Sequence, residues 1–483
     1  MEDDRATANV RVDGAPAEAT LSGGELRWRR GGAGGAGPER ALSLESDVLG
    51  VQVTGKEVVV RAFVAAGAAR ALSCAGAGGK RCRRDFVLQM ADGEGAAVAW
   101  GEGLTRYLDS FGRPKRLFVF VNPFGGKKCA RKIYDTEIKP LFEAAETEYQ
   151  GHAREVVYSL DLAEYDGVVC VSGDGVLVEV VNGILQRTDW EEAIKVPIGV
   201  VPAGSGNGMA KSLLHAASEK YSVSNAVFAI IKGYFSNFFP TYHAQNYMTH
   251  GDFRWREGNM NFLVFREMMP EVLTKPLALF QALVRIMNLR KYCGSIQFVP
   301  APGYEAYGEP IKQVKNSIVE SVEQNGKSHR SSYPGPSVEF QASDWRFIDG
   351  PFIAVWVNNV PWAAEDIMAA PEAKFSDGYM DAAILRDCPK ADLLALLMKM
   401  SDGSYVKSPY VAYLKVRTFQ LSPGQLVENP KRGGIIDVDG EVIARGKGTY
   451  DKNQHQDVMA YGQPIQLTVH QALATIYCPD KIH

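Results

Sequence analysis

The chain has 483 residues, 46% hydrophobic and 23% charged, with a formal net charge of −3. That length exceeds one ordinary core and predicts two or three domains, while the near-neutral balance excludes a general pull toward nucleic acid. Seven cysteines without a CxxC pair argue for a reducing compartment and against a zinc site or a disulfide frame. The acidic start Met1-Glu2-Asp3-Asp4 carries no signal-peptide pattern, and no apolar run reaches the roughly 18 residues that span a bilayer. The expectation is a cytoplasmic protein whose membrane contact, if any, is peripheral.

Residues 1–45 are rich in Gly, Ala and Arg and read as a flexible tail, residues 31–37 above all. Strand-like runs follow at 48–53, 57–64 and 85–90, interrupted by a Gly/Ala/Cys-rich stretch at 65–79. Over 97–111 the spacing of Val98, Leu104, Tyr107 and Leu108 predicts a helix. Several strands closed by one helix, over 46–112, resemble a small β-rich module of the pleckstrin-homology-like kind. The basic run Lys80-Arg81-Cys82-Arg83-Arg84 reads as a solvated charge run, with contact to anionic lipid as the alternative.

From Lys115 the texture becomes strand, glycine turn, helix, repeated. Helices are expected over 133–142, 152–162, 176–187 and 209–217, which makes 113–232 an α/β domain with a parallel sheet. Beyond residue 291, short runs at 295–299, 352–358, 382–385, 410–421, 435–443 and 464–469 predict antiparallel strands. A helix is expected there only over 391–400, where Leu393, Leu394, Leu396, Leu397 and Met398 suit a core or an acyl channel. The polar stretch 312–335 reads as a mobile surface loop.

Three apolar runs, 117–121, 168–171 and 198–201, each end in a glycine-rich loop. The loops are Asn122-Pro123-Phe124-Gly125-Gly126, Ser172-Gly173-Asp174-Gly175 and Pro202-Ala203-Gly204-Ser205-Gly206-Asn207. Such turns gather at the carboxyl edge of an open α/β sheet, where backbone N–H groups and helix N-termini receive phosphate. No GxxxxGK[ST] or GxGxxG pattern is present, so neither a P-loop nor a hydride-transfer cofactor is indicated. Asp174, flanked by glycines, is the candidate acid. A carboxylate beside a triphosphate holds magnesium or takes the proton of an attacking hydroxyl; the alternative is a cap on the next helix. Glu179 either reaches the nucleotide or is a solvated helix acid. His152 reads as a surface histidine more readily than a cleft residue.

In this order the motifs resemble the diacylglycerol-kinase-type lipid kinases, and within them the plant-type sphingosine (long-chain base) kinases. The likeness is carried by 116–128, 151–182, 189–213 and 289–308, and by Asp437-Val438-Asp439-Gly440-Glu441. It implies an α/β ATP-binding domain over 113–232 followed by a lipid-binding β-sandwich over 233–483. It further implies an ATP- and Mg²⁺-dependent kinase of sphingoid bases, with Asp174 as general base. Around ATP it sets Asn122, Pro123, Phe124, Ser172, Gly173, Gly175, Glu179, Gly204, Ser205 and Gly206, together with Thr147, Glu148, Tyr149, Gln150 and Gly151. Asp439, Gly440 and Glu441 would close over the nucleotide, and Ser172, Gly173, Asp174 and Gly175 would also meet the lipid. No resident metal ligand is assigned.

One stretch departs from the family. Where its members carry an acidic run ending in Lys/Arg-Tyr-Arg, residues 233–280 have none, and Asp252, Arg254, Arg256 and Glu257 are the nearest chemical equivalents. The departure leaves open a catalytically impaired nucleotide- or lipid-binding homologue; a ceramide or diacylglycerol kinase is the other alternative.

Overall fold

The structure, a computed structural model, describes residues 5–30, 39–65, 81–122, 130–144, 148–151, 157–204, 206–246, 256–258, 261–264, 286–311, 333–336, 340–375, 377–438, 441–448 and 459–479. Seven strands open the chain: β1 (Ala6–Val12), β2 (Ala15–Ser22), β3 (Glu25–Arg30), β4 (Glu39–Ser43), β5 (Val48–Thr54), β6 (Glu57–Ala65) and β7 (Arg81–Met90). They form one antiparallel sheet in the order β4-β3-β2-β1-β7-β6-β5, and α1 (Glu94–Ser110) buries Ala97, Trp100, Leu104 and Leu108 in its core.

The expected tail is corrected, because residues 6–43 supply four of those strands. Val10, Val12, Ala17, Ala19, Leu21, Leu26 and Trp28 point inward while Arg11, Glu18, Arg27 and Arg29 stay exposed. This period of two is a strand signal that the Gly/Ala/Arg composition conceals. Both hairpins turn on two residues, Asp13-Gly14 (φ 50° and 82°) and Gly23-Gly24 (φ 60° and 76°). Paired positive φ values are the turn geometry that matches the twist of the flanking strands. Residues 31–38 and 66–80 lie outside the described residues.

The next four strands, β8 (Arg116–Val121), β9 (Glu148–Gly151), β10 (Gly167–Ser172) and β11 (Ile198–Pro202), are parallel in the order β9-β8-β10-β11. Helices cover both faces, so the strands read as unbroken apolar runs. Phe118, Phe120, Val168 and Cys170 pack with the Asp174–Leu185 and Gly208–Ala216 helices. Leu117, Val119, Val169 and Val171 pack with residues 130–144 and the Val223–Lys232 helix. The helix expected over 152–162 is not formed by its described part, residues 157–162. There Asp161 accepts from the Ala163 N–H at 3.1 Å and starts only the short Leu162–Glu164 turn.

The N-terminal sheet is packed onto the second of those faces. Leu49 and Phe63 enter its core, with the Phe63 ring 5.0 Å from Phe228. Buried Arg113 donates to the carbonyls of Leu44, Val48, Glu45 and Lys232, and burial pushes its guanidinium down to about 10. The basic run is spent on local partners: Arg81 on Asp47, Glu219 and the Phe228 ring, Arg83 on Asp85, and Arg84 on Asp13.

The C-terminal strands are antiparallel and run in the order Glu441–Arg445, Ile435–Val438, Asn261–Val264, Ala354–Asn358, Met380–Leu385, Val411–Leu426 and Ile465–Tyr477. The last strand is the seam. It pairs with Val411–Leu426 and Phe235–Asn246, and Ile476 pairs in parallel with Ile198 of β11. One sheet of 16 strands therefore runs without a break across the boundary expected at residue 232. Leu393, Leu396 and Leu397 of the Lys390–Met398 helix are buried with Trp356, Tyr405 and Tyr413 in a core cluster, whereas Met398 is exposed. Tyr333, expected in a surface loop, is 3% exposed and packs against Trp190, its N–H donating to the Leu185 carbonyl. Residues 312–332 of that loop lie outside the described residues.

Candidate active site

Parallel register brings the ends of three strands level. Ser172 pairs with Pro202, Val171 pairs with Val121, and the Asn122 N–H donates to the Val171 carbonyl at 3.3 Å. The chain leaves β8 toward β9 on one side and β10 on the other, so the strand order reverses at this edge. A crevice opens at such a reversal.

Two of the loops that follow touch through backbone. A side chain at Gly204 would meet the Gly173 Cα at 2.3 Å and N at 2.4 Å, and one at Gly173 would meet the Gly206 carbonyl at 2.8 Å. Only glycine allows this approach. Gly175, by contrast, faces space with nothing within 4 Å of an added Cβ. The Asp174–Leu185 and Gly208–Ala216 helices both begin here, so their N-terminal N–H groups supply positive potential beside that space.

Asp174 is 7% exposed. Its Oδ2 accepts from the Gly208 N–H at 2.7 Å and its Oδ1 from the Met209 N–H at 3.3 Å, while its own N–H donates to the Gly206 carbonyl at 3.2 Å. The capping alternative thus holds in an unexpected form: Asp174 caps neither its own helix nor the Trp190–Ala193 helix that follows, but the one after that. Capping and chemistry are compatible, because a carboxylate has two oxygens with two lone pairs each. Glu179, half-buried on the same helix, turns its charge toward Cys170, whose thiol is pushed up to about 12, chiefly by burial.

Four features were not found in the sequence. Asn207 is 4% exposed and bonds both ways to Gly204, accepting from its N–H at 3.0 Å and donating to its carbonyl at 2.9 Å. Burial pushes the Tyr221 phenol up, and the Glu365 and Asp174 charges add to this. Ser212 accepts from the Trp362 N–H at 3.0 Å, which brings the Trp362–Ala364 hairpin strand of the C-terminal region onto the Gly208–Ala216 helix. Lys211 of that helix lies over the Trp362 and Tyr221 rings. An Asn directly before a helical run is the one signal that was legible, as a helix cap.

The remaining expected residues divide into three sets. Asn122, Ser172, Gly173, Asp174, Gly175, Gly204 and Gly206 are brought together. Glu148, Tyr149, Gln150 and Gly151 form β9, where Glu148 pairs with Arg116 at the far end of β8 and Gly151 with Val119 near the loop edge. At roughly 3.3 Å per residue, Glu148 backbone lies about 20 Å from the edge that carries Asn122. Glu441 begins a hairpin strand opposite Val438, at the other end of the strand order from β8 to β10. Pro123, Phe124, Thr147, Ser205, Asp439 and Gly440 lie outside the described residues, as do His152, Asp252 and Arg254. Arg256 and Glu257 fall on the Arg256–Gly258 strand.

Among the described residues no set of three His, Cys, Asp or Glu side chains gathers as a metal site, and no helix is long and apolar enough to cross a membrane. The diacylglycerol kinase catalytic domain family matches residues 116–237, and the YegS C-terminal NAD kinase beta sandwich-like domain matches residues 342–451. Sphingosine kinase 2 of Arabidopsis thaliana is 45% identical over 98% of this chain and 97% of its own length. Sphingosine kinase 1 of the same plant is 43% identical over 98% of this chain and 96% of its own. Human ceramide kinase is more distant, at 25% identity over 69% of this chain and 67% of its own. Resemblance at that level along almost the whole sequence, on a sheet edge built from the same loops, makes this chain a member of the sphingosine kinase family of diacylglycerol-kinase-type lipid kinases.

Proposed function

We propose that the protein transfers the γ-phosphoryl group of ATP to the primary hydroxyl of a sphingoid long-chain base. The observation that carries this reading is the Asp174 carboxylate held at the start of two helices, between glycine turns, at the carboxyl edge of a parallel sheet. In the reaction the lipid oxygen bonds to the γ-phosphorus as the bond to the β,γ-bridging oxygen breaks, ADP leaves, and Asp174 takes the hydroxyl proton. Asn122, Pro123, Phe124, Ser172, Gly173, Gly175, Gly204, Ser205 and Gly206 would line the triphosphate. Thr147, Glu148, Tyr149, Gln150 and Gly151, with Glu179, Asp439, Gly440 and Glu441, would complete the nucleotide site.

Magnesium supplies charge neutralisation on the phosphates. The Glu179 carboxylate, a hard oxygen donor, would hold it together with the phosphates, one carboxylate plus phosphate being an ordinary magnesium set, and Asp174 would act as the base. Because the acceptor is a membrane lipid, the protein would act from the cytoplasm in peripheral contact with intracellular membranes. The relatives named above support a sphingoid acceptor over ceramide or diacylglycerol.

The departure at 233–280 motivates the rival reading of an impaired homologue. Against it, the Phe235–Asn246 strand pairs along the last strand and Asn261–Val264 lies between two others, so these two described strands are built into the sheet. The test is phosphate transfer from ATP to sphingosine, with ceramide and diacylglycerol offered in parallel, by wild type and Asp174→Asn. The asparagine keeps one oxygen, for the Gly208 N–H, but not a second for the Met209 N–H, so the loss reads chemistry when thermal melting and ATP affinity stay near wild type: turnover then falls about 10²- to 10⁴-fold. Turnover within tenfold of wild type would remove Asp174 from the mechanism, and a wild type inert on all three lipids would favour the impaired homologue.

A further inference from the structure

Asn207 stands at the N-cap of the Gly208–Ala216 helix, where an asparagine ordinarily turns its side chain forward to accept from the first N–H groups. It does not do so here. Those N–H groups are taken by Asp174, 33 positions back in sequence from Asn207, and the Asn207 amide points backward to Gly204. Both halves of the amide are used, one as acceptor and one as donor, which closes the Gly204–Asn207 turn on itself. The turn so closed meets the second loop at two further points. Gly204 backbone lies against Gly173, and the Gly206 carbonyl accepts from the Asp174 N–H. A buried asparagine bonded at both ends has one geometry, and it fixes Gly204 against Asn207.

We propose that Asn207 is a positioning residue for phosphoryl transfer: its amide holds the third glycine turn in the one shape that fits both the triphosphate and Asp174. This rests on the reading above that these turns hold ATP.

The informative variant is Asn207→Asp, which has nearly the same shape but, when ionised, accepts only. It loses the donation to the Gly204 carbonyl and sets a negative charge against that oxygen and beside the triphosphate. Protonating the introduced carboxyl restores one donor and one acceptor. We expect a cooperative thermal transition at a somewhat lowered temperature, ATP affinity at pH 8 weakened at least tenfold by calorimetry, and an unchanged KM for sphingosine. The ratio of variant to wild-type ATP affinity should recover toward one as pH falls to 5. ATP affinity within twofold of wild type at pH 8 would overturn the proposal, as would a loss that persists undiminished at pH 5. If that variant does not fold, Asn207→Ser, which offers a hydroxyl of shorter reach, is expected to weaken ATP by the same order. Wild-type-like ATP binding by the folded serine variant overturns the proposal too. Calorimetry with ATP alone reads the proposal even where no sphingoid base is phosphorylated, so the two readings fail separately. Wild-type protein that binds no ATP overturns both.

Discussion

At the residue scale the site depends on how near two backbones come. Gly173 and Gly204 are in direct contact, and a Cβ at Gly204 would fall 2.3 Å from a neighbouring Cα, an atom with no freedom to move aside. Gly204→Ala is therefore expected to prise the second and third loops apart and to cost at least 100-fold in ATP-dependent turnover, because misplacement by an ångström has that effect. Gly175→Ala is the control: with nothing within 4 Å of its Cβ, the fold and melting temperature stay as in wild type. Measuring both by thermal melting and by ATP titration separates strain from lost phosphate space. A melting temperature of Gly204→Ala equal to that of Gly175→Ala would refute the backbone contact. Asp174 itself was legible from its two flanking glycines. Its partners were not, since the N–H groups it accepts from lie 34 and 35 positions away and nothing local marks them.

At the element scale, the Gly208–Ala216 helix is the piece that several parts of the molecule share. Its start holds Asp174; Met209, Ala210 and Leu213 pack in the α/β core, and Ser212 receives the backbone of the Trp362 hairpin. Gly208 makes this docking possible, since any Cβ there would sit 2.2 Å from the Trp362 carbonyl. Ser212→Ala leaves the buried Trp362 N–H without its acceptor, a loss of about 1–3 kcal/mol. Urea unfolding would show it as a lowered midpoint at constant slope; a midpoint equal to wild type would mean that the hairpin does not dock this way. Elements with strong periodicity, such as α1 and the Asp174–Leu185 helix, were legible to within a few residues. β1 to β3 were not, because alanine and arginine at alternate positions resemble low complexity until burial distinguishes them. The Trp362–Ala364 strand, only three residues long, carries too short a pattern for periodicity to register.

At the scale of the whole molecule, texture along the chain divides 113–232 from 233–483, yet the sheet ignores that division. Pairing between distant segments leaves no local trace, so a strand at the very end of the sequence that completes a domain begun 300 residues earlier is invisible to a reading by windows. Ile476 pairs with Ile198, Tyr477 donates to the Asp166 carbonyl at 2.5 Å, and the Cys478 N–H donates to the Tyr234 carbonyl. The same strand buries Ile465, Leu467, Val469, Ile476 and Tyr477 in cores on both sides of the seam. At about 1.5–3 kcal/mol for each buried side chain, removing five of them forfeits roughly 8–15 kcal/mol. That is comparable to the whole stability of a typical domain, about 5–15 kcal/mol. A chain ending at residue 464 is therefore expected to lose its cooperative thermal transition and all ATP binding, rather than to leave an intact nucleotide domain beside a damaged sandwich. Differential scanning calorimetry with an ATP titration of the truncated chain decides it. A surviving transition accompanied by ATP binding would mean that β8 to β11 form a self-sufficient unit, and the last strand would then be an edge addition with no part in holding the loops level.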